Sequence, residues 1–214
     1  MIIVGGTFYI RFINSSEDIV SKNNVQMLDQ VNLNLDSYLR SMRKISNTTY
    51  YNIIKKTDFS KDNITKDLNL LYESNKDSLV SICLFSDYGQ VVSASPLAQI
   101  KYSVDPRQSE WFYNARNKSE NLHFSTPHVE NLFVDLNNQY RWVVSLSRAV
   151  DITYSGKITQ GVLLVDMNFT EIEQIFKNVN MGKSGYTYLI DNSGEIIYHP
   201  RQQLIYSNLI EENN

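Results

Sequence analysis

Tyr102-Ser103-Val104-Asp105-Pro106-Arg107-Gln108-Ser109-Glu110-Trp111-Phe112 lies near the middle of the 214-residue chain. Upstream is a strand pattern, and downstream is a long β-rich half. Asp-Pro sets Asp105 in an extended or turn conformation and stops any helix there. Trp111 and Phe112 then open a short helical run, Glu110 to Lys118. Two large aromatics beside a turn, with Arg107 near them, suit two roles. They can form the lid of a concave site, or they can cap a hydrophobic core. The residues around the stretch decide which role carries more weight.

Composition narrows the classes. The chain is 42% hydrophobic and 20% charged, enough for one or two cores. The net charge is −3, and no block of like charges occurs, so a nucleic-acid surface has no support. Cys83 is the single cysteine and stands inside an apolar run, so it reads as a small buried hydrophobe with no disulfide or zinc set around it. His123, His128 and His199 are scattered. Gly182-Lys183-Ser184 invites a P-loop reading, but Lys177 stands where that motif needs glycine and a strand follows where it needs a helix. No cofactor motif is left, and no cofactor is expected.

Upstream, Met1 to Ile10 is apolar, about half of the ~20 residues a membrane span needs. It reads as the outer end of a transmembrane helix, or else as a first buried strand. From Ser15 to about Lys56 there is neither Pro nor Gly. Ser15-Ser16-Glu17-Asp18 fits an N-cap with acidic residues in the first turn. Leu28, Val31, Leu35, Tyr38, Met42, Ile45 and Thr49 step by 3 and 4, which predicts a long helix with one apolar seam. Part of that seam covers its own domain, and a surplus would serve a second helix. A shorter helix is expected over about Lys61 to Glu73.

Strands are expected at Leu79–Phe85, Gln90–Ser95, Leu122–Ser125, His128–Val134, Tyr140–Val150 and Gln160–Met167. Together they make an antiparallel sheet of about five strands flanked by helices. Asn168 to Asn178 reads as a connecting helix. Leu84-Phe-Ser-Asp-Tyr-Gly89-Gln-Val-Val-Ser aligns without gaps with Leu189-Ile-Asp-Asn-Ser-Gly194-Glu-Ile-Ile-Tyr. The repeat points to two related modules in tandem, the second opening near Gly182.

The loop Asp105-Pro-Arg…Trp111-Phe112, the following Ser125-Thr-Pro-His128 and the later Gly182…Gly185-Tyr-Thr-Tyr-Leu-Ile-Asp191…His199-Pro200 resemble double Cache (dCache) sensor domains over roughly residues 15 to 214. The wording is most similar to the sensor regions of YesM-type histidine kinases of Gram-positive bacteria. The resemblance implies an α/β (α+β) fold, with a long N-terminal helix and tandem PAS-like modules with antiparallel sheets. The corresponding division is 1–12, the end of a transmembrane helix; 13–75, the long helix and a short second one; 76–168, a membrane-distal ligand-binding module; 169–181, a connecting helix; and 182–214, the start of a membrane-proximal module. It further implies an extracellular domain at the cell membrane, anchored by flanking transmembrane helices. Such a domain pairs as a homodimer through the N-terminal helix and takes a small molecule such as an amino acid, a sugar or another metabolite. The output would be a histidine kinase, or alternatively a chemoreceptor or cyclase.

By that resemblance the ligand residues are Tyr102, Arg107, Trp111, Phe112, His128, Glu130 and Asp166. Amino-acid-binding members place an Arg two residues before the Trp, where this chain has Ser109. His128 and Glu130 stand where those members have Tyr and Asp. A carboxylate ligand wants a guanidinium for bidentate pairing. A polyol or sugar stacked on Trp111 therefore suits the set no less than an α-amino acid. A small hydrolytic enzyme using His128, Glu130 and Asp166 is the runner-up class. His128 and Glu130 alternate along one stretch and so share a face.

Overall fold

The computed structural model describes residues 2–96, 99–101, 103–117, 122–134, 141–177, 179, 186–191, 194 and 196–201, with residues 2–18 described by backbone alone. It divides into two compact units, Tyr38–Glu171 and the remainder, Met1–Ser37 with Ile172–Asn214. Helix α1 (Ile2–Asn47) runs through Ser15–Asp18, so these residues are interior to the helix, not its cap, and the strand reading of the N-terminus is overturned. Among the described residues no helix is long and apolar enough to cross a membrane. The seam expected along α1 is displaced by one residue at its N-terminal end. Val31, Tyr38, Met42 and Ile45 are buried, while Leu28 is 44% exposed and Met27 takes the sheltered position. An α-helix drifts about 20° per heptad against a strict 3.5 repeat, and that drift carries position 28 off the buried stripe.

In Tyr38–Glu171, α1 ends in a π-helical turn (Thr48–Ile53) and a 3-10 turn (Ile54–Lys56). Helix α2 (Thr65–Glu73) follows. Strands β1 (Leu79–Ser86), β2 (Val91–Ser95), β3 (His123–Phe124), β4 (His128–Val129), β5 (Trp142–Tyr154) and β6 (Lys157–Asn168) form one antiparallel sheet of order β2-β1-β6-β5-β3, with β4 also on β5. The strands expected at Leu122–Ser125 and His128–Val134 appear as the two short pieces β3 and β4 on either side of Pro127. β5 and β6 are joined by the two-residue turn Ser155-Gly156, both at positive φ (49° and 77°), the geometry whose twist matches paired strands.

The register assigns the two faces of the sheet, because paired residues in antiparallel strands point the same way. Ser145, Asp166 and Ser81 form one row on one face, and Ser147, Leu164 and Cys83 form the next. Phe85 and Val162 continue that face. Ile82, Leu84, Leu163, Val165, Leu146 and Arg148 point to the other. The end of α1 and helix α2 lie on this second face: Arg148 Nη1 donates to Asn47 Oδ1 at 2.9 Å, and the Ser95 hydroxyl donates to Asn69 Oδ1 at 2.7 Å. Between Leu79 and Ser81 a bulge at Val80 breaks the alternation. It lets Leu79 pair with Met167 on the aliphatic face while Ser81 joins Asp166 on the other.

Helix α3 (Glu110–Asn117) covers the first face, with Phe112 and Ala115 buried against Cys83, Phe85 and Leu164. A 3-10 turn, Pro106–Gln108, precedes it, and Asp105 is extended there (φ −99°, ψ 111°), as Asp-Pro dictates. The side chain of Arg107 runs across Gly89 in the β1–β2 turn, where a Cβ would stand 2.9 Å from Arg107 Cγ. Only glycine suits that position, since its φ is also +77°.

In the other unit, helix α4 (Thr170–Lys177) spans the division, and β7 (Leu189–Ile190) pairs with β8 (Ile196–Tyr198) as a short hairpin. The aligned repeat is visible in its turn. Gly194 N–H donates to Asp191 O at 3.1 Å with φ 87°, as Gly89 N–H donates to Ser86 O at 2.9 Å with φ 77°. Gly182-Lys183-Ser184 lies outside the described residues.

Candidate functional site

Asp166 stands near the C-terminal end of β6 and is 3% exposed. Its neighbours across the sheet are both serines, and each hydroxyl donates to one carboxylate oxygen. Ser81 Oγ reaches Oδ2 at 2.6 Å, and Ser145 Oγ reaches Oδ1 at 2.5 Å. Burial pushes the Asp166 carboxyl above its ordinary value, while the two hydroxyls and the charge of His128 pull the other way. No ion pair to Asp166 occurs among the described residues.

His128 is delivered to the same face by β4, where it pairs with Val143. Its Nε2 is 3.4 Å from Ser145 Oγ, and its Nδ1 is 3.0 Å from Thr126 O and 3.3 Å from Ser125 Oγ. Ser125 Oγ in turn accepts the Ser145 backbone N–H at 2.9 Å. Glu130 follows on the same side, but it builds the loop. Its Oε1 accepts the N–H groups of Leu132 (2.6 Å) and Phe133 (3.1 Å). That turn ends the strand expected over His128–Val134 after Val129, because the side chain takes amides that a strand would commit to its ladder. Burial raises the Glu130 carboxyl above its usual range, the Asp166 charge adds to the rise, and the two amides and Lys101 oppose it.

The aromatic stretch faces the same way. Trp111 lies 5.3 Å from Phe85 and 5.5 Å from Phe112, centroid to centroid. Its carbonyl accepts the Ser147 hydroxyl at 2.9 Å. Ser147 is the same-face neighbour of Ser145 on β5, so Trp111 and Asp166 share one side of the sheet about two residues, ~7 Å, apart along the strand direction. Phe112 is 1% exposed and belongs to the core beneath Trp111. Arg107 is turned to solvent and held by Asp105, with Nη2–Oδ2 at 2.7 Å and Nε–Oδ1 at 3.0 Å. The guanidinium holds the exposed Asp105 carboxyl below its ordinary value. Tyr102 lies outside the described residues.

Of the seven residues read from the sequence, Trp111, Phe112, His128, Glu130 and Asp166 thus gather on one face, and Arg107 points elsewhere. The hydroxyls of Ser81, Ser125 and Ser145 were not among the expected residues. Their signal was present: each is a small polar residue interrupting a strand run, and Ser145 and Ser147 alternate within Val143–Val150. Among the described residues no cluster of three or more His, Cys, Asp or Glu is arranged to hold a metal. A concavity of about 400 Å³ lies along the π-helical turn, away from these residues, lined by Arg40, Arg43, Lys44 and Tyr51 among others. All four are exposed side chains of one helical segment, without a buried polar group at which a ligand would be fixed.

Comparison with known proteins brings in independent findings. The sequence profile of the Cache domain family, dCache_1, matches residues 12–213. A probable methyl-accepting chemotaxis protein of Bacillus thuringiensis is 25% identical over 205 residues, covering 93% of this chain and 28% of that protein. The methyl-accepting chemotaxis protein McpG of Pseudomonas putida is 24% identical over 183 residues, covering 82% of this chain and 27% of its own length. The chain therefore spans little more than a quarter of the length of these two relatives. Among solved structures, the ligand-binding domain of the Pseudomonas aeruginosa amino acid chemoreceptor PctC in complex with GABA superposes with a TM-score of 0.62 at 17% identity, over 88% of this chain and 76% of that one. That of the Pseudomonas fluorescens chemoreceptor CtaA in complex with L-serine gives 0.61 at 18%, over 88% and 75%.

Proposed function

The chain belongs to the Cache domain family, and from that membership and the geometry above we propose that it is the ligand-sensing domain of a bacterial transmembrane signalling receptor. The observation that carries this reading is the convergence of Trp111, His128 and Asp166 on one face of the sheet. Ligand sites combine apolar walls with a few converging polar groups, and this face supplies both. Trp111 offers stacking area at little entropic cost. Asp166 offers a carboxylate for an amine or hydroxyl. Phe112 supports Trp111 from below, and Glu130 shapes the loop that borders the acid. Relatives that are chemotaxis receptors favour a chemoreceptor as the whole protein. The kinase reading rests on the resemblance of the loop wording alone, and the relatives above are chemotaxis receptors.

The same reading places the domain on the extracellular side of the cell membrane, with residues 76–168 as the distal module and residues 182–214 opening the proximal one. A second copy would pair along α1, where Val25, Leu28 and Leu39 leave an exposed apolar row. A hydrolytic role has less support. The curated relatives that the chain matches are chemotaxis receptors and not hydrolases.

A thermal-shift screen of small metabolites, followed by calorimetry on the hits, tests the site. Asp166→Ala and Trp111→Ala should each weaken binding by about 1–3 kcal/mol, the scale of a buried interaction left unpaired. A hit that binds both variants as tightly as the parent places the site elsewhere.

A further inference from the structure

Asn168, the last residue of β6, stands two residues beyond Asp166 along the strand. Across the sheet it shares a row with His128, because Val143 pairs with both. It therefore borders two residues of the candidate site, one along the chain and one across the ladder. Three of its polar groups are bonded to other parts of the fold. Its backbone N–H donates to Ser78 O at 2.7 Å, just ahead of β1. Its carbonyl accepts the Tyr38 hydroxyl of α1 at 3.3 Å. Its side-chain Oδ1 accepts the N–H of Thr170, the first residue of α4, at 3.0 Å. The peptide that presents the carbonyl to Tyr38 also presents the Phe169 N–H to Trp142 O, at 3.0 Å, where β5 begins. A peptide unit is planar, so its contacts with α1 and with β5 turn together.

The position of these contacts matters as much as their number. Tyr38 and Glu171 are the first and last residues of the unit that contains the sheet. The chain enters that unit on α1 at Tyr38 and leaves it on α4 at Glu171, so every covalent path out of it starts at one of these two points. Tyr38 is buried. Burial, with the charges of Glu171 and Asp166, raises its phenol, which stays protonated and so remains a donor. Glu171 is bonded by Ser78, and that bond opposes the rise that burial imposes on its carboxyl. Farther from the site, α1 and its π-helical turn are fastened to β5 through Asn47 with Arg148 and Tyr50 with Asp151. The ladder beside Asn168 is able to yield. The bulge at Val80 interrupts the β1–β6 pairing between Leu79 and Ser81, opposite Met167 and Asp166. A bulge concentrates bend and twist, so the end of β6 can shift against β1 while the regular pairs from Ile82 onward stay intact.

We propose that Asn168 is the coupling point of this unit, where a change at the Asp166 site divides into two outputs, one to α1 through Tyr38 and one to α4 through the cap on Thr170. The inference rests on the reading of Asp166 as the ligand site. A displacement of Asp166 reaches Asn168 along the strand, and a displacement of His128 reaches it across the row. The carbonyl passes the movement to the Tyr38 hydroxyl, and Oδ1 passes it to the first turn of α4. Tyr38 and Asn168 are positioning residues, acting through the backbone and not on a bound molecule. Such coupling is a free energy shared between sites, and a contiguous chain of contacts is its physical carrier here. The two outputs use different atoms of Asn168, so each can be cut alone. Tyr38→Phe removes the hydroxyl and keeps the buried ring. Asn168→Ala removes the cap and keeps the carbonyl.

Amide resonances of the whole chain, followed by NMR, test both branches without a ligand in hand. Asp166→Asn perturbs the site, and Ser145→Ala perturbs it without changing its charge. Each should shift the amides of residues 38–42 on α1 and of Thr170 and Glu171 on α4, and leave those of Tyr154–Lys157 at the far turn in place. In a Tyr38→Phe background the shift on α1 should be lost and that on α4 retained. In an Asn168→Ala background the pattern should reverse. If Asn168→Ala does not fold, Tyr38→Phe decides alone. A through-space effect of the missing charge would persist in Tyr38→Phe, so an α1 response equal to the parent's overturns the coupling. So does the loss of both responses in Tyr38→Phe, which would make Tyr38 a prop for the packing, and so does a parent in which neither helix responds. The sensing reading fails separately: a metabolite screen without a hit, beside an intact branching pattern, sinks that reading and leaves the coupling. Hits lost in Asp166→Ala, beside a failed pattern, do the reverse.

Discussion

The two faces of the sheet are built from the same strands, whose residues alternate between them except where the Val80 bulge intervenes, yet they follow opposite rules. The face toward α1 and α2 carries Ile82, Leu84, Leu163, Val165 and Leu146, all buried and aliphatic, with Arg148 at its border over the Tyr50 ring, 4.6 Å to the centroid. The face toward α3 is aromatic at one end, with Phe85, Trp111 and Phe112, and polar at the other, with Ser81, Ser145, Asp166 and His128. A carboxylate buried without an ion pair is expensive, and two serine hydroxyls offset only part of that cost. One face is therefore arranged for stability. The other keeps a destabilising group at a position that aliphatic residues elsewhere in the same strands show to be fillable. A destabilised, preorganised cluster beside a packed core is the usual signature of a site selected for binding.

The largest test of that division removes a side chain from the aliphatic face. Leu146→Ala should cost about 2–5 kcal/mol in chemical denaturation, since Leu146 is fully buried on the aliphatic face of β5 and its removal leaves a cavity there. Ligand affinity of the protein that stays folded should be unchanged. A loss below about 1 kcal/mol would mean that this face is not the stabilising one.

A smaller effect of opposite kind is expected on the other face. Asp166→Ala leaves the Ser81 and Ser145 hydroxyls without their acceptor and should cost about 1–3 kcal/mol of stability. Asp166→Asn keeps an acceptor for one serine and offers a donor to the other, while removing the buried charge. At neutral pH it should be neutral or stabilising by up to about 1 kcal/mol, even as binding is lost. Equal destabilisation by both variants would make Asp166 an ordinary structural acid and erase the contrast between the faces.

Much of this architecture was legible in the sequence, and the failures have local causes. The β5–β6 hairpin could be read from two long apolar alternations flanking Tyr154-Ser-Gly-Lys, because only a tight turn with positive φ fits there. Trp111, Phe112, His128, Glu130 and Asp166 could be placed on one side by strand parity and by family resemblance. Arg107 could not be placed. The sequence shows a cation near the aromatics, but not that Asp105, two residues away, captures it and that Gly89 lets its stem lie outward. The end of β4 was hidden for a similar reason, since a glutamate that folds back on Leu132 and Phe133 amides looks in sequence like any polar strand residue. Leu28 and Met27 differ by one position, a distinction that depends on helix phase and not on composition. The serines around Asp166 needed the register, and the bulge at Val80 makes Ser81's side of the sheet unpredictable from alternation alone.

The finest probe of the contrast is the pH dependence of stability. Burial raises both Asp166 and Glu130 above their ordinary carboxylate values of roughly 3.9 and 4.3. Between those values and the raised ones, the folded protein holds protons that the unfolded chain has released. Stability must then fall as pH rises through that window, and the penalty is complete above the folded values. Asp105 and Asp58 work in the other direction. Hydrogen bonds from Arg107 to Asp105 and from Ser60 to Asp58 hold these exposed carboxyls low, so their contribution is lost as pH falls. Being solvated, they contribute little. The buried pair should dominate, and mild acidification from neutral toward about pH 5 should raise the denaturation midpoint of the parent. Asp166→Asn should flatten that slope by removing one of its sources, Glu130 and the Glu171 carboxyl, also raised by burial, being the others, while Asp105→Asn should leave it unchanged. A denaturation series across this range, run on the three proteins side by side, checks both statements. A parent that loses stability on mild acidification, or a slope identical in Asp166→Asn, would show that the acid on the α3 face carries no stored cost, and the distinction between the two faces would then rest on shape alone.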